Sequence, residues 1–352
     1  KRENMVASPK REWGQAREPG GRPDRLGILR ADSHSTGGES ASTAAKRLAS
    51  INVESTEETR RQYRNLILTA PGIGKYICGV ILFEETLYQK TDSGVLFPQH
   101  LENVGVVPGI KVDGGLADFN DKGEQYTKGL DGLGERLEKY KKAGARFAKW
   151  RAVYLISDAS PSQELINKNA ADLAKYAKIC QEHGLVPIVE PEVLIDGAHS
   201  IEKCHEVTEK VLKAVFEALK KENVAIGLCI LKPSMVISGK QAANRAGVDE
   251  VAKRTVEVLR KTVPKELPSI NFLSGGQGPE EATQHLNRMH TLGIVLPWYV
   301  SFSYARALQE PALKAWQGKQ ENLGKGQKAF LKRAKLNSLA TQGRYKLEME
   351  KE

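Results

Sequence analysis

The chain has 352 residues, 40% of them hydrophobic and 27% charged, with a formal net charge of +10 from 53 basic and 43 acidic side chains. That apolar content is enough to bury a core, so a wholly disordered chain is excluded, and at roughly 100–200 residues per domain the length fits two or three domains or one α/β barrel with additions. The 32 glycines and 15 prolines follow no Gly-X-Y period, which rules out a collagen, and no apolar run reaches the roughly 18 residues a bilayer span requires.

Residues 1–26 stand apart as a polar stretch rich in Gly and Pro, with seven Lys/Arg against four Asp/Glu. They lack an apolar h-region, so they do not read as a secretory leader; an irregular or disordered basic extension is expected. From Gly27 on, short apolar runs alternate with longer amphipathic ones. Candidate strands fall at 27–31, 79–83, 106–111, 145–151, 185–190, 226–232, 269–274 and 298–304. The intervening segments carry helical signatures. Residues 171–184 have apolar side chains at helical spacing and stop at Gly184. Residues 199–223 read as one long amphipathic helix with i,i+4 charge pairs. Residues 279–293 open on a proline and acids and close on a glycine.

Near-continuous apolar strands suit a parallel sheet buried on both faces. Eight of them alternating with helices predict a (β/α)8 TIM barrel spanning 27–310, with 311–352 as a helical tail packed outside it. A doubly wound sheet is the structural rival, but no GxGxxG follows the first strand, and no repeat of 20–50 residues suggests a solenoid.

In such a barrel the active site forms at the carboxyl ends of the strands. Almost every candidate strand here ends in an ionisable group: Glu84 and Glu85, Lys111 and Asp113, Lys149 and Arg151, Glu190 and Glu192, Lys232, and Arg306. Charges there are costly to bury unless paired or used. Lys232 follows an apolar run in LCILKPSMV. Desolvation and a neighbouring cation such as Lys149 both favour the free amine, which attacks carbonyls to form a Schiff base; the bland alternative is a snorkelling lysine with a wet head. Glu190 and Glu192 share one parity, and a carboxylate beside such a lysine suits the proton transfers of imine chemistry. Alternatively they only offset the lysines.

The segment FLSGGQ (272–277) adds Ser274, Gly275 and Gly276, whose backbone permits close approach to an anion. Arg306, expected to end the eighth candidate strand, can form a bidentate phosphate contact, and barrel phosphate sites commonly use these two loops. None of the seven histidines ends a candidate strand; His199 and His205 read as solvated helix residues. The cysteines Cys78, Cys180, Cys204 and Cys229 lack CxxC spacing and are too few for a disulfide scaffold. The chemistry favoured is therefore amine catalysis with no metal and no cofactor. The basic residues are spread along the chain without a nucleic-acid motif, so phosphorylated small molecules are the expected partners, rather than nucleic acid or membrane.

At the level of whole motifs, the chain resembles the class I, Schiff-base fructose-bisphosphate aldolases from about Gly38 to Tyr345. The resemblance lies in KRLASINVE (46–54), GVILFEETLYQK (79–90), PGIKVD (108–113), GLDGLGER (129–136), ARFAKWRAVY (145–154), GLVPIVEPEVLIDG (184–197), LKPSMV (231–236), FLSGGQ (272–277), FSYARALQ (302–309) and ALKAWQGK (312–319). It implies a cytoplasmic enzyme of glycolysis and gluconeogenesis, usually a homotetramer, with cytoskeletal binding in some members. The implied reaction is reversible cleavage of fructose 1,6-bisphosphate to dihydroxyacetone phosphate and glyceraldehyde 3-phosphate.

The same resemblance implies Lys232 as the Schiff-base lysine and Glu190 as general acid/base. Lys149 would stabilise developing charge, Arg151 would lie near a phosphate, and Glu192 would be a supporting charge. Ser274, Gly275, Gly276 and Arg306 would hold the phosphate of the ketone half, with Lys111, Ser40 and Arg47 toward the other.

Three departures stand out. The family's first strand ends in a motif of the form A-A-D-E-S. Counting back without gaps from KRLASI puts Gly38 on its aspartate and Glu39 and Ser40 on its Glu-Ser. Matching GILRAD instead puts Asp32 there at the cost of about six extra residues. The family's amino-terminal helix is replaced by 1–26, and Tyr345 is not terminal. These departures motivate a rival reading, an aldolase-fold binding or scaffold protein with impaired catalysis. Another Schiff-base lyase or transferase is a third.

Overall fold

The computed structural model describes residues 33–37, as backbone, and residues 41–352. Eight parallel strands close into a barrel. In chain order they are β1 (Ser33–Gly37), β2 (Gly79–Leu82), β3 (Val107–Lys111), β6 (Phe147–Tyr154), β7 (Val186–Val193), β8 (Ile230–Leu231), β9 (Ser269–Phe272) and β10 (Tyr299–Tyr304). β1 closes the ring by pairing with both β2 and β10. An antiparallel hairpin of β4 (Leu116–Asp118) and β5 (Gln125–Thr127) lies between β3 and β6. The helices are α1 (Ala41–Ala49), α2 (Glu57–Leu68), α3 (Glu84–Tyr88), α4 (Phe97–Asn103), α5 (Leu133–Lys142), α6 (Gln163–Glu182), α7 (Ile201–Lys221), α8 (Val248–Thr262), α9 (Pro279–Thr291), α10 (Arg306–Trp316) and α11 (Leu323–Ala340).

Period-two alternation along the strands sorts the side chains between two environments. Trp150 of β6 packs on Tyr176 of α6, ring centroids 5.5 Å apart, so the opposite parity of β6 faces the barrel interior. Tyr304 of β10 donates to the Ala282 carbonyl of α9 at 2.9 Å, which sets the parity of β10 in the same way. The lower interior is an apolar plug of Ile81, Phe147, Val186, Ile188 and Ile230. Gly109 makes that plug possible, because a Cβ there would lie 2.2 Å from the Phe147 ring.

The long helices start where the sequence supplies caps. Ser162 accepts from the Leu165 amide at α6, Ser200 accepts from the Lys203 amide at α7, and Pro279 opens α9. Each hydroxyl cap stabilises its helix by about 1 kcal/mol. Gly184, at φ +72°, follows the end of α6 as the stop signal predicts.

The candidate strand at 27–31 lies outside the described residues, and the first barrel strand among them is Ser33–Gly37; its SHSTG sequence has no apolar signal, and its strand character comes from the hydrogen bonds to both neighbours. Two expectations need correction. The 226–232 run is a 3-10 turn over Ile226–Leu228 followed by a strand of only two residues. The helical tail is two helices, and the first begins at Arg306; the chain breaks at Gln317 and Gly318, both with positive φ. Arg333 of α11 ties the second helix to the barrel by donating to the Pro279 carbonyl (2.9 Å) and Thr283 hydroxyl (2.5 Å) of α9, and it also pairs with Glu350 at 2.5 Å. Residues 1–26 lie outside the described residues.

Candidate active site

Above the apolar plug, the same interior parity turns polar. On β6 the sequence Phe147, Lys149, Arg151 steps from plug to charge, and on β7 the sequence Val186, Ile188, Glu190, Glu192 does the same. The parallel register pairs Lys111 with Lys149 and Arg151 with Glu190. Lys232 stands one residue beyond β8, yet its amide continues the ladder by donating to the Val189 carbonyl at 2.8 Å. That bond brings its side chain beside Glu190.

The result is a chain of alternating charges. Lys111 Nζ lies 2.5 Å from Asp113 Oδ1, and Asp113 Oδ2 lies 3.4 Å from Lys149 Nζ. Lys149 Nζ is 2.9 Å from Glu190 Oε2, and Glu190 Oε1 is 2.9 Å from Lys232 Nζ. Arg151 pairs separately with Glu192. Lys149, Glu190 and Lys232 are 6%, 4% and 3% exposed, so these charges have exchanged water for one another.

The environment separates the titrations. Burial pushes Lys232 below the ordinary lysine value and the Lys149 ammonium adds to the shift, against the pull of Glu190. Burial acts on Lys149 in the same direction, but Glu190 and Asp113 together outweigh it and hold Lys149 above the ordinary value. Burial would raise Glu190; Lys149, Lys232 and Arg151 overcome that and bring it down to about 2. The site thus pairs a lysine whose ammonium gives up its proton more readily than usual with a firmly ionised carboxylate, the combination a nucleophilic amine needs.

The opposite wall is neutral. Ser269 and Asn271 of β9 and Ser301 and Ser303 of β10 are buried and share the interior parity. Ser303 Oγ has no hydrogen-bond partner among the described residues. Next to this wall is the loop after β9. Ser274 is buried, and Gly275 and Gly276 take φ +50° and +86°, a conformation that favours glycine. An added Cβ at Gly276 would sit 3.6 Å from Arg306 Nη2, so the guanidinium lies against the glycine loop. Arg306 is the first residue of α10 rather than the end of a strand, and it is exposed. Arg47 lies on α1, which packs against α10.

Lys111, Lys149, Arg151, Glu190, Glu192 and Lys232 are therefore brought together, with Ser274, Gly275, Gly276 and Arg306 grouped beside β9 and β10. Asp32 and Ser40 lie outside the described residues. Glu84 and Glu85 do not join the cluster: Glu84 lies by Tyr140 of α5, and Glu85 pairs with Arg60 of α2 at 2.5 Å. His199 and His205 are half-buried rather than solvated, and His199 precedes α7. The strand-end pattern marks Asp113 only as a charge and leaves the Ser/Asn wall unmarked. The available signals were the parity of Asp113 with Lys111 and the period-two polar residues in SINFLS and YVSFSY. Among the described residues, no three His, Cys, Asp or Glu side chains are placed to hold a metal ion.

Comparison with known proteins gives one consistent result. The family described as "Fructose-bisphosphate aldolase class-I" matches residues 24–352. The chain is 54% identical over 321 residues to "Fructose-bisphosphate aldolase 4, cytosolic" of Arabidopsis thaliana, covering 91% of this chain and 80% of that protein. It is 53% identical over 310 residues to a "Probable fructose-bisphosphate aldolase class 1" of Xanthomonas axonopodis pv. citri, covering 88% of this chain and 92% of that protein. Among solved structures, the fructose-bisphosphate aldolase of Plasmodium falciparum, in a ternary complex with TRAP and a small-molecule inhibitor, superposes with a TM-score of 0.87 at 49% identity, covering 89% of this chain and 91% of that one. With the barrel, the buried lysine–carboxylate–lysine centre and these matches in hand, the chain belongs to the class I fructose-bisphosphate aldolase family.

Proposed function

We infer that the cluster at the carboxyl ends of β3, β6, β7 and β8 carries out the family's reaction on fructose 1,6-bisphosphate. The observation that carries this reading is the single carboxylate, Glu190, lying 2.9 Å from each of two buried lysines. Lys232 Nζ, as the free amine, adds to C2 of the open-chain sugar, and the carbonyl becomes a hydroxyl. Glu190 accepts the proton that Lys232 sheds in becoming the free amine, and passes it to that hydroxyl, which leaves as water and gives the iminium. A base removes the proton of the C4 hydroxyl, the C3–C4 bond breaks, and its electrons pass to the iminium to form an enamine. Glyceraldehyde 3-phosphate departs. Protonation of the enamine at C3 and hydrolysis then release dihydroxyacetone phosphate and regenerate the amine. The Lys149 ammonium stabilises the oxygen charge that develops along this course.

The glycine loop with Ser274, Gly275, Gly276 and Arg306 is assigned to the phosphate of the ketone half. Lys111, Arg151, Arg47 and Ser40 are assigned toward the other phosphate, with Glu192 holding Arg151. Asp32 is the candidate for the C4 base, and Gly38 is the position that follows the carboxyl end of β1. The variants Asp32→Asn and Gly38→Asp separate these: the first lowers cleavage if Asp32 is the base, and the second raises it if the position of Gly38 lacks one. A homotetramer in the cytoplasm is proposed on the family's pattern and the cytosolic naming of the Arabidopsis relative. The TRAP complex of the Plasmodium relative supports a further capacity for a protein partner, and cytoskeletal binding is proposed on the family's pattern alone.

The test is reduction with borohydride in the presence of fructose 1,6-bisphosphate, followed by peptide mapping. A sugar-phosphate adduct on Lys232, absent in Lys232→Met, with turnover unchanged by a chelator, supports the reading. A folded protein without the adduct, or turnover abolished by the chelator, overturns it.

A further inference from the structure

Two lysines share Glu190 at the same 2.9 Å distance, and both are almost wholly buried. Distance to that carboxylate therefore does not tell them apart. The difference lies on the far side of Lys149, where Asp113 Oδ2 is 3.4 Å from its Nζ. Among the described residues, Lys232 has no second carboxylate within ion-pair distance. We propose that Asp113 is a positioning residue that holds Lys149 as a standing ammonium, leaving Lys232 as the lysine able to act as the free amine.

The charge inventory of the site gives the reason. The groups facing this pair are Lys111 from β3 and Asp113 just beyond it, Lys149 and Arg151 from β6, Glu190 and Glu192 from β7, and Lys232 from β8. β9 and β10 contribute only serines and an asparagine. Among the described residues, four cations thus meet three anions around a buried Lys149–Glu190–Lys232 centre. Arg151 does not lose its proton, and it is paired with Glu192. Asp113 is 4% exposed at its side chain and serves both Lys111 and Lys149. Lys111 is 16% exposed, so water reaches it. The uncompensated positive charge falls on the buried lysine with the fewest anions, which is Lys232. Lys111 and Lys149 also keep Asp113 ionised, below the usual carboxylate range, despite its burial.

The inference rests on the Schiff-base reading, and its test does not depend on turnover. Wild-type protein is labelled with isotopic acetic anhydride across a pH series, and the acetylation midpoint of each lysine is read by peptide mass spectrometry. Lys232 is expected to titrate at lower pH than Lys149; the reverse order, or equal midpoints, overturns the proposal whatever any variant does.

In Asp113→Asn the two midpoints are expected to approach each other by at least about half a pH unit, because Lys149 loses an anion and then repels Lys232 less. The pH–rate bell narrows from both sides, and Asp113→Glu restores its width. A packing role alone lowers the bell without moving its limbs, and that outcome also overturns the proposal. A wild-type protein that gives no adduct with fructose 1,6-bisphosphate refutes the aldolase reading alone, since the labelling order is measured without sugar.

Discussion

Replacing Glu190 with glutamine is the most informative single perturbation, because among the described residues it removes the one carboxylate that contacts both Lys149 and Lys232. Its cost can be approached in two ways. Lys149, Lys232 and Arg151 bring Glu190 down to about 2 from the ordinary 4.5 despite its burial, and at about 1.4 kcal/mol per unit this is roughly 3 kcal/mol of stability. Independently, breaking a buried ion pair by deleting one partner costs about 3–5 kcal/mol. With an unfolding entropy of about 2.1 cal/mol/K per residue over the described chain, 3 kcal/mol lowers the melting midpoint by about 5 °C. The sign follows from the depressed value: the stabilisation is fully present above about pH 4.5 and is lost as pH falls toward 2. The gap between wild type and Glu190→Gln, followed by urea unfolding at several pH values, should be constant above that range and shrink below it. Cleavage of fructose 1,6-bisphosphate should fall by about 10²–10⁴-fold, the usual contribution of a positioned acid/base. A variant that cleaves within threefold of wild type, or that melts at the same temperature, refutes the role assigned to this carboxylate.

Gly276→Ala places a Cβ at φ +86°, 2.7 Å from Ile195 Cγ2, and so displaces the loop from Arg306; steady-state kinetics should show KM raised by about tenfold with kcat less affected, the pattern of lost ground-state binding. Gly109→Ala drives a Cβ to within 2.2 Å of the Phe147 ring, and calorimetry should find a loss of about 1–3 kcal/mol, as expected of an overpacked core. Cys180, Cys204 and Cys229 are buried, and burial pushes their thiols up, Cys229 to about 12. A thiol-disulfide reagent should therefore label no more than Cys78 in the native protein and all four after unfolding; rapid labelling of two or more native thiols would contradict this packing.

The sequence by itself determined the α/β alternation, because period-two and period-3.6 patterns report local backbone geometry. It also marked the strand-end charges, since Lys149, Glu190 and Lys232 interrupt otherwise apolar runs. Parity placed Glu190 and Glu192 on one face without reference to any partner strand. β1 was not legible, because Ser33–Gly37 carries no apolar signal and is a strand only through its pairing with β2 and β10. The length of β8 was hidden for the opposite reason: an apolar run that reads as seven residues holds a 3-10 turn before a strand of two. Only the closed barrel decided which charges meet. Glu85 ends an apolar run much as Glu190 does, yet a neighbouring helix offers it Arg60, and it turns away. Asp113 is ordinary in sequence and becomes a site residue because the β3–β6 register sets Lys111 against Lys149, with its carboxylate in contact with both. Patterns along the chain fix which way a side chain points; the distances that turn a lysine into an amine nucleophile are set across strands far apart in sequence, and those belong to the tertiary structure.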